Sequence, residues 1–150
     1  MSDVHDTETR SRNMRAIQSK NTKPELLIRQ WLHREGFRYR LHRRDLPGNP
    51  DIVLPKHGAV IFVHGCFWHG HDCHLFKVPQ ARRDFWLEKI GSNQNRDRVA
   101  IGGLLRQGWR VLTIWECALK GRLRRNQKDV TLEMSSWLLE QDGSAVLDSC

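Results

Sequence analysis

One stretch of this chain constrains its fold more than any other. Ala59-Val-Ile-Phe-Val63 is the longest apolar run, and it leads directly into His64-Gly-Cys-Phe-Trp-His-Gly-His-Asp-Cys-His74. A run apolar on both faces must be covered on both, so residues 59–64 are predicted to form a central strand. The segment that follows carries four histidines and two cysteines in eleven residues. Zinc takes four Cys and His ligands in a tetrahedron. Cys66, His71 and Cys73 can wrap one ion from a single loop, and Cys117, at the end of a later strand, can close the set. The competing reading makes Cys66 and Cys73 small buried residues, and the spacing follows no common zinc-finger pattern.

Around this stretch the chain reads as one α/β domain at residues 22–150, preceded by a polar, flexible arm at residues 1–21. The arm holds Arg10, Arg12 and Arg15, with Met14 and Ile17 as its apolar anchors. Thr22-Lys-Pro-Glu25 opens a helix, with Thr22 as N-cap, Pro24 in the first turn and Glu25 at the capping-box position. Leu27, Ile28, Trp31 and Leu32 share one face, and Gly36 stops the helix. Short strands are expected at Phe37–Leu41, Asp51–Leu54 and Ala59–His64. Two helices are expected near Arg82–Ile90 and Asn95–Gln107, with Gly102-Gly103 weakening the second. Trp109–Trp115 is a fourth strand, and a last helix covers Val130–Glu140. The order α-β-β-β-α-β-α argues a mixed sheet flanked by helices.

Charge narrows the function classes. With 25 Lys and Arg against 17 Asp and Glu, the chain carries +8. A protein this basic is expected to meet a polyanion. Residues 119–128 hold five basic side chains and no acidic one, whereas residues 129–150 hold five acidic and no basic. No apolar run nears the roughly 20 residues of a membrane span. The first residues lack the pattern of a secretory signal, so a cytoplasmic location is expected and a structural disulfide is not.

Three further features point to chemistry. Asp51 follows the breaker run Pro47-Gly-Asn-Pro50 and starts a strand, a position that suits Mg²⁺, which prefers carboxylate, carbonyl and water oxygens. Glu25 is a second carboxylate, although the capping box accounts for it locally. His69 lies between proposed zinc ligands, so its backbone is held firmly, and an imidazole held in place is the usual general base near neutral pH. Otherwise it is an exposed loop histidine. His64 and His74 are also left over. Phe67-Trp68 on the loop and Phe85-Trp86 further on are either core residues or wedges between nucleic-acid bases.

Taken together, Asn13-Met-Arg-Ala-Ile17, Asn21-Thr-Lys-Pro-Glu25, Leu46-Pro-Gly-Asn-Pro-Asp51, Phe62-Val-His-Gly-Cys-Phe-Trp-His69, Phe85-Trp-Leu-Glu-Lys-Ile90, Asn95-Arg-Asp-Arg98, Gly108-Trp-Arg-Val-Leu112 and Trp115-Glu-Cys117 resemble the very short patch repair (Vsr) DNA mismatch endonucleases. The resemblance runs from about Val4 to about Leu139. It implies a restriction-endonuclease-like fold and a monomer acting on double-stranded DNA. It implies nicking of one strand beside the T of a T:G mismatch left by deaminated 5-methylcytosine. By the same resemblance Asp51 binds catalytic Mg²⁺ with the Val63 carbonyl, His69 is the base, and Glu25 and His64 assist. Structural Zn²⁺ falls to Cys66, His71, Cys73 and Cys117. Phe67, Trp68 and Trp86 enter the duplex from one groove and Met14 from the other.

The chain departs from the wider restriction fold in one respect. The usual carboxylate-x-lysine motif is replaced near Val63-His64-Gly65 by histidine, so fewer anionic ligands should weaken Mg²⁺ binding in the free protein. Two rivals stand beside this reading. A zinc-stabilised DNA-binding protein without catalysis would bind a mismatch and leave it uncut. A restriction endonuclease would cut matched DNA equally well.

Overall fold

The computed structural model describes residues 22–140 and 143–149. The proposed arm, with Met14, lies outside the described residues. Five strands form one sheet in the order β1 (Arg40–Leu41), β2 (Ile52–Leu54), β3 (Ala59–His64), β4 (Arg110–Trp115) and β5 (Ser144–Leu147). The first two junctions are antiparallel, and β3–β4 and β4–β5 are parallel. Each parallel junction needs a long crossover, and a helix supplies it. Helix α2 (Arg83–Arg106) joins β3 to β4, and α3 (Gln127–Glu140) joins β4 to β5. Helix α1 (Lys23–Arg34) precedes the sheet. The fold is therefore the expected α/β class, with β3 in the middle.

Period-two alternation divides the core into two layers. Ile52, Leu54, Ala59, Ile61, Leu112 and Ile114 face α1 and α3, where Ile28, Trp31, Leu32, Met134 and Leu138 cover them. Val53, Val60, Phe62 and Val111 face the other way, onto Leu104 of α2. This explains why β3 is apolar throughout: both of its faces are roofed.

The start of α1 follows the expected logic. Thr22 has an extended backbone, and its hydroxyl accepts the Glu25 N–H at 3.4 Å. Gly36, at φ +88°, follows the last turn.

Several expectations are corrected. The first strand is only Arg40–Leu41; Phe37 instead buries its ring in the α1 layer. The two helices expected over residues 82–107 are one helix of 24 residues. Gly91 faces open space, so it removes no packing, and Gly103 admits Pro47, which a Cβ there would approach to 3.4 Å. The inward stripe Ile90, Ala100 and Leu104 runs through both predicted pieces. The fifth strand, Ser144–Leu147, was not anticipated. It lies at the sheet edge with only Leu147 fully buried, so it carries no strong apolar pattern.

Candidate active site and metal centre

The C-terminal ends of β3 and β4 and the start of β2 meet at one end of the sheet, where α1 and α2 also arrive. A cleft of about 900 Å³ opens there, lined among others by Glu25, Asp51, His64, Trp68, His69 and Asp97. In α/β sheets, ligands favour the carboxyl ends of parallel strands. Lys23, Arg96 and Lys120 also line this cleft, giving it a cationic rim suited to phosphates.

Asp51 immediately precedes β2, and the antiparallel register Ile52↔Ile61 sets it against the far end of β3. Its Oδ2 accepts the Val63 N–H at 2.7 Å. Burial pushes the Asp51 carboxyl well above the usual carboxylate range, and the Glu25 carboxylate beside it pushes the same way. The Val63 N–H and the Arg29 guanidinium oppose the rise. Glu25 is 2% exposed. Its carboxylate is held by Arg29, one turn on, and by His42 Nε2 at 3.0 Å. Ligand atoms of Glu25, His42 and Asp51 lie within 4.8 Å of one another. The clustered oxygens of Glu25 and Asp51, with a carboxylate that burial disfavours as an anion, form a donor set that a divalent cation fits.

On the α2 side of the cleft the His64 and His69 rings stack in parallel, with centroids 3.8 Å apart. His69 Nδ1 donates to Asp97 Oδ2 at 2.5 Å, because a carboxylate can only accept. That bond fixes the tautomer and leaves Nε2 as the ring's proton acceptor. His64 is buried, and its Nδ1 lacks a protein partner among the described residues. Burial, and then His69, hold the His64 imidazole well below its usual pKa, so it is neutral near pH 7.

The same loop builds a second, closed centre. Cys66, His71, Cys73 and Cys117 bring their ligand atoms within 4.8 Å of one another. His71 Nδ1 lies 3.6 Å from Cys117 Sγ, and its Nε2 meets Asp148 Oδ2 at 3.0 Å. A metal-binding imidazole commonly makes such a bond through its other nitrogen. Cys66 is fully buried, and burial with the adjacent Cys73 and Cys117 sulfurs pushes its thiol far up. Burial pushes the Cys73 thiol up as well, and three sulfurs and an imidazole converging on one point fit a thiophilic metal. Glu116 ties this centre to the cleft: Oε1 accepts the Cys66 N–H at 3.2 Å while Oε2 pairs with Lys120 at 3.0 Å.

Phe67 and Trp68 line the cleft, and Trp86 of α2 packs against them. Phe67, Trp68 and Trp86 form one cluster, with centroid separations of 5.0, 5.5 and 5.8 Å. All three are half-buried, and none belongs to either apolar layer of the core. Helix α2 fastens their loop from below. Asn93 donates to the Trp68 carbonyl at 2.9 Å, and Gln94 to the Gly70 carbonyl at 3.1 Å. Gly70, at φ +65°, permits this approach; a Cβ there would lie 2.4 Å from the Gln94 amide nitrogen.

A family model described as DNA mismatch endonuclease Vsr matches residues 2–75. The chain is 48% identical over 149 residues to the DNA mismatch endonuclease Vsr of Escherichia coli (strain K12), spanning 99% of this chain and 96% of that protein. The chain belongs to the Vsr family of DNA mismatch endonucleases. Two nicking enzymes are also similar. Type II nicking enzyme V.XorIIP of Xanthomonas oryzae pv. oryzae is 48% identical over 83% of this chain and 96% of its own. Type II nicking enzyme V.NmeAIP of Neisseria meningitidis serogroup A is 47% identical over 81% and 87%.

Within this Vsr family member, the catalytic and metal-binding candidates from the sequence fall into two groups, beside the aromatic cluster. Glu25, Asp51, Val63, His64 and His69 converge on the cleft, and Cys66, His71, Cys73 and Cys117 on the closed centre. The contact from Val63 to Asp51 is made by its N–H. Asp97 and His42 were not singled out in sequence. Asp97 had a signal: on α2 it sits in register with Ile90, Asn93 and Leu104, a charge on the helix's inward stripe. His42 had none, because it sits in an irregular segment beyond β1 and reaches Glu25 only through the tertiary fold.

Proposed function

We propose that this DNA mismatch endonuclease nicks the strand carrying the T of a T:G mispair, with Mg²⁺ at Asp51 and His69 as the base. The observation that carries this reading is the convergence of a His69–Asp97 pair, the Asp51 and Glu25 carboxylates and a cationic rim in one cleft.

The chain's own residues divide the work. His69 Nε2 takes the proton from the attacking water, and Asp97 holds the ring in the tautomer that allows it. A base of this kind contributes about 10²- to 10⁴-fold. Neutral His64, stacked beneath, fixes the ring plane and adds no charge. Asp51 and Glu25 hold Mg²⁺, helped by the Val63 main-chain carbonyl. Mg²⁺ bound there supplies charge relief on the phosphate and on the departing oxygen. Lys23, Arg96 and Lys120 orient the backbone and do not read bases.

Recognition falls to the aromatics. A T:G wobble stacks and pairs less well than a matched step, so a wedge of Phe67, Trp68 and Trp86 costs least there. Met14 on the arm is proposed to enter from the opposite groove. Zn²⁺ at Cys66, His71, Cys73 and Cys117 keeps the wedge loop preformed, because a site closed by four protein ligands is structural. A restriction-endonuclease-like domain acting as a monomer suits a reaction that cuts one strand.

A nicking assay tests the reading. T:G, T:A and C:G duplexes, each strand labelled in turn, are incubated with Mg²⁺ or with EDTA. Cutting of the T strand of the T:G duplex, with Mg²⁺ only, is expected. Equal cutting of matched duplexes would support a restriction enzyme, and mismatch binding without any cutting would support a binding module.

A further inference from the structure

We infer that His42 is a positioning residue that holds the Glu25 carboxylate in place for divalent-cation binding beside Asp51. The inference rests on the proposed reading of the cleft as a cation site. His42 adopts φ +48°, a left-handed conformation that is uncommon for a residue with a side chain. Such strain persists where surrounding contacts over-determine it, and it gathers at functional sites.

Two contacts tie His42 to the carboxylate-bearing residues, and Arg29 lies against its ring. The His42 N–H donates to the Asp51 carbonyl at 3.2 Å, just past the end of the β1–β2 pairing. Its ring reaches Glu25, with Nε2 3.0 Å from Oε2. Since the carboxylate only accepts, Nε2 carries the hydrogen in this contact. His42 therefore brackets the cation site, bound to the main chain of one carboxylate residue and to the side chain of the other.

The bracket matters because Glu25 is almost fully buried and stands beside a second carboxylate. Arg29 binds the same oxygen, Oε2, from the next turn of α1, and its Nη2 lies 3.3 Å from His42 Nε2. Arg29 and Glu25 belong to one helix, so their contact cannot register Glu25 against β2. His42, coming from the segment that leads into β2, can. A partner that orients a metal-binding carboxylate from behind is worth roughly 10- to 100-fold in metal affinity.

The test uses the full chain without DNA and Mn²⁺ as the probe, followed by calorimetry and electron paramagnetic resonance. His42→Gly and His42→Asn both accept a left-handed backbone and neither reaches Glu25. His42→Gln places an amide donor near the position of Nε2. Thermal melts of the Gly and Asn variants should show a folded, cooperative protein, while their Mn²⁺ affinity falls roughly 10- to 100-fold. With mismatched DNA, kcat should fall comparably and KM should hold. The Gln variant should recover most of both losses.

Wild-type Mn²⁺ affinity in the Gly and Asn variants would overturn the inference. So would nitrogen hyperfine coupling to bound Mn²⁺ that disappears in His42→Gly, since His42 would then be a direct ligand. Asp51→Ala separates the two levels of argument. If it leaves Mn²⁺ binding intact, the cleft is not the cation site; if it abolishes binding while His42→Gly does not weaken it, the His42 inference alone fails.

Discussion

The eleven residues from His64 to His74 serve two neighbouring centres of opposite character. Cys66, His71 and Cys73 turn toward Cys117 and make a cluster closed by four protein ligands. His64 and His69 turn into an open cleft whose Asp51 carboxylate and His69 Nε2 still have chemistry available. A closed set offers a metal no vacant position, whereas a cleft that keeps one admits substrate. One loop can serve both because each centre fixes it for the other. The Glu116 carboxylate joins Cys66 to the cleft wall, and Asn93 and Gln94 pin the intervening turn to α2. Proximity of histidines and cysteines in sequence therefore does not mean a shared site.

The contrast predicts opposite responses to mutation. The largest effect should come from Cys117→Ser, which opens the closed centre. Structural zinc supplies about 10 kcal/mol or more of apparent folding free energy in small domains. The variant should lose its metal on dialysis and melt far below the wild type, as metal analysis and calorimetry can show. A stable, metal-free variant with full nicking activity would end the distinction between the two centres.

Asp51→Asn should do the reverse at the open centre. The folded Asp51 carboxyl titrates above its unfolded value, because of burial first and Glu25 after it, despite the Val63 N–H and Arg29. Its contribution to stability is present below the unfolded pKa near 4 and lost as pH rises through the folded value, so at neutral pH Asp51 is a cost. Removing that charge should raise the melting temperature of the metal-free protein at pH 7 by roughly 2–4 °C per kcal/mol relieved. Nicking should fall on the order of 10³-fold, since a Lewis-acid metal contributes several kcal/mol. A variant that nicks at the wild-type rate would remove Asp51 from the site.

Asp97→Asn sharpens the picture on the histidine side. It keeps the shape but can donate to His69 Nδ1, which favours the tautomer with Nε2 protonated. Turnover with saturating mismatch DNA should fall about 10²-fold with little change in stability or duplex affinity. An unchanged kcat would make Asp97 a structural partner only.

The smallest effect concerns the turn between the centres. Trp68→Ala should lower the ratio of mismatched to matched duplex affinity by about tenfold at fixed salt, the scale of a base–aromatic stack of about 1–3 kcal/mol. Arg124→Ala, in the basic segment, should leave that ratio alone. A ratio unmoved by Trp68→Ala would assign the mismatch reading to other residues.

Local patterns were sufficient for part of this molecule. The apolar run 59–63 dictated a doubly covered strand, Thr22 and Gly36 marked the ends of α1, and the density of Cys and His at 64–74 marked a cluster able to hold a metal. Each is a signal contained within a few residues, where spacing alone fixes the geometry. Helix continuity through Gly91 and Gly103 was not local, because what tolerates those glycines is open solvent in one case and the approach of Pro47 in the other. The edge strand β5 depends on pairing with β4 and not on its own pattern. The division of one loop into two centres, the Asp97 partner of His69 and the His42 bracket on Glu25 all join residues 17 to 50 positions apart. The parallel pairing of β3 with β4 sets Cys66 beside Glu116, and the packing of α1 and α2 against opposite faces of the sheet brings the others within hydrogen-bond range. Sequence spacing determined which residue types the protein could bring to its site; the tertiary fold decided which atoms meet.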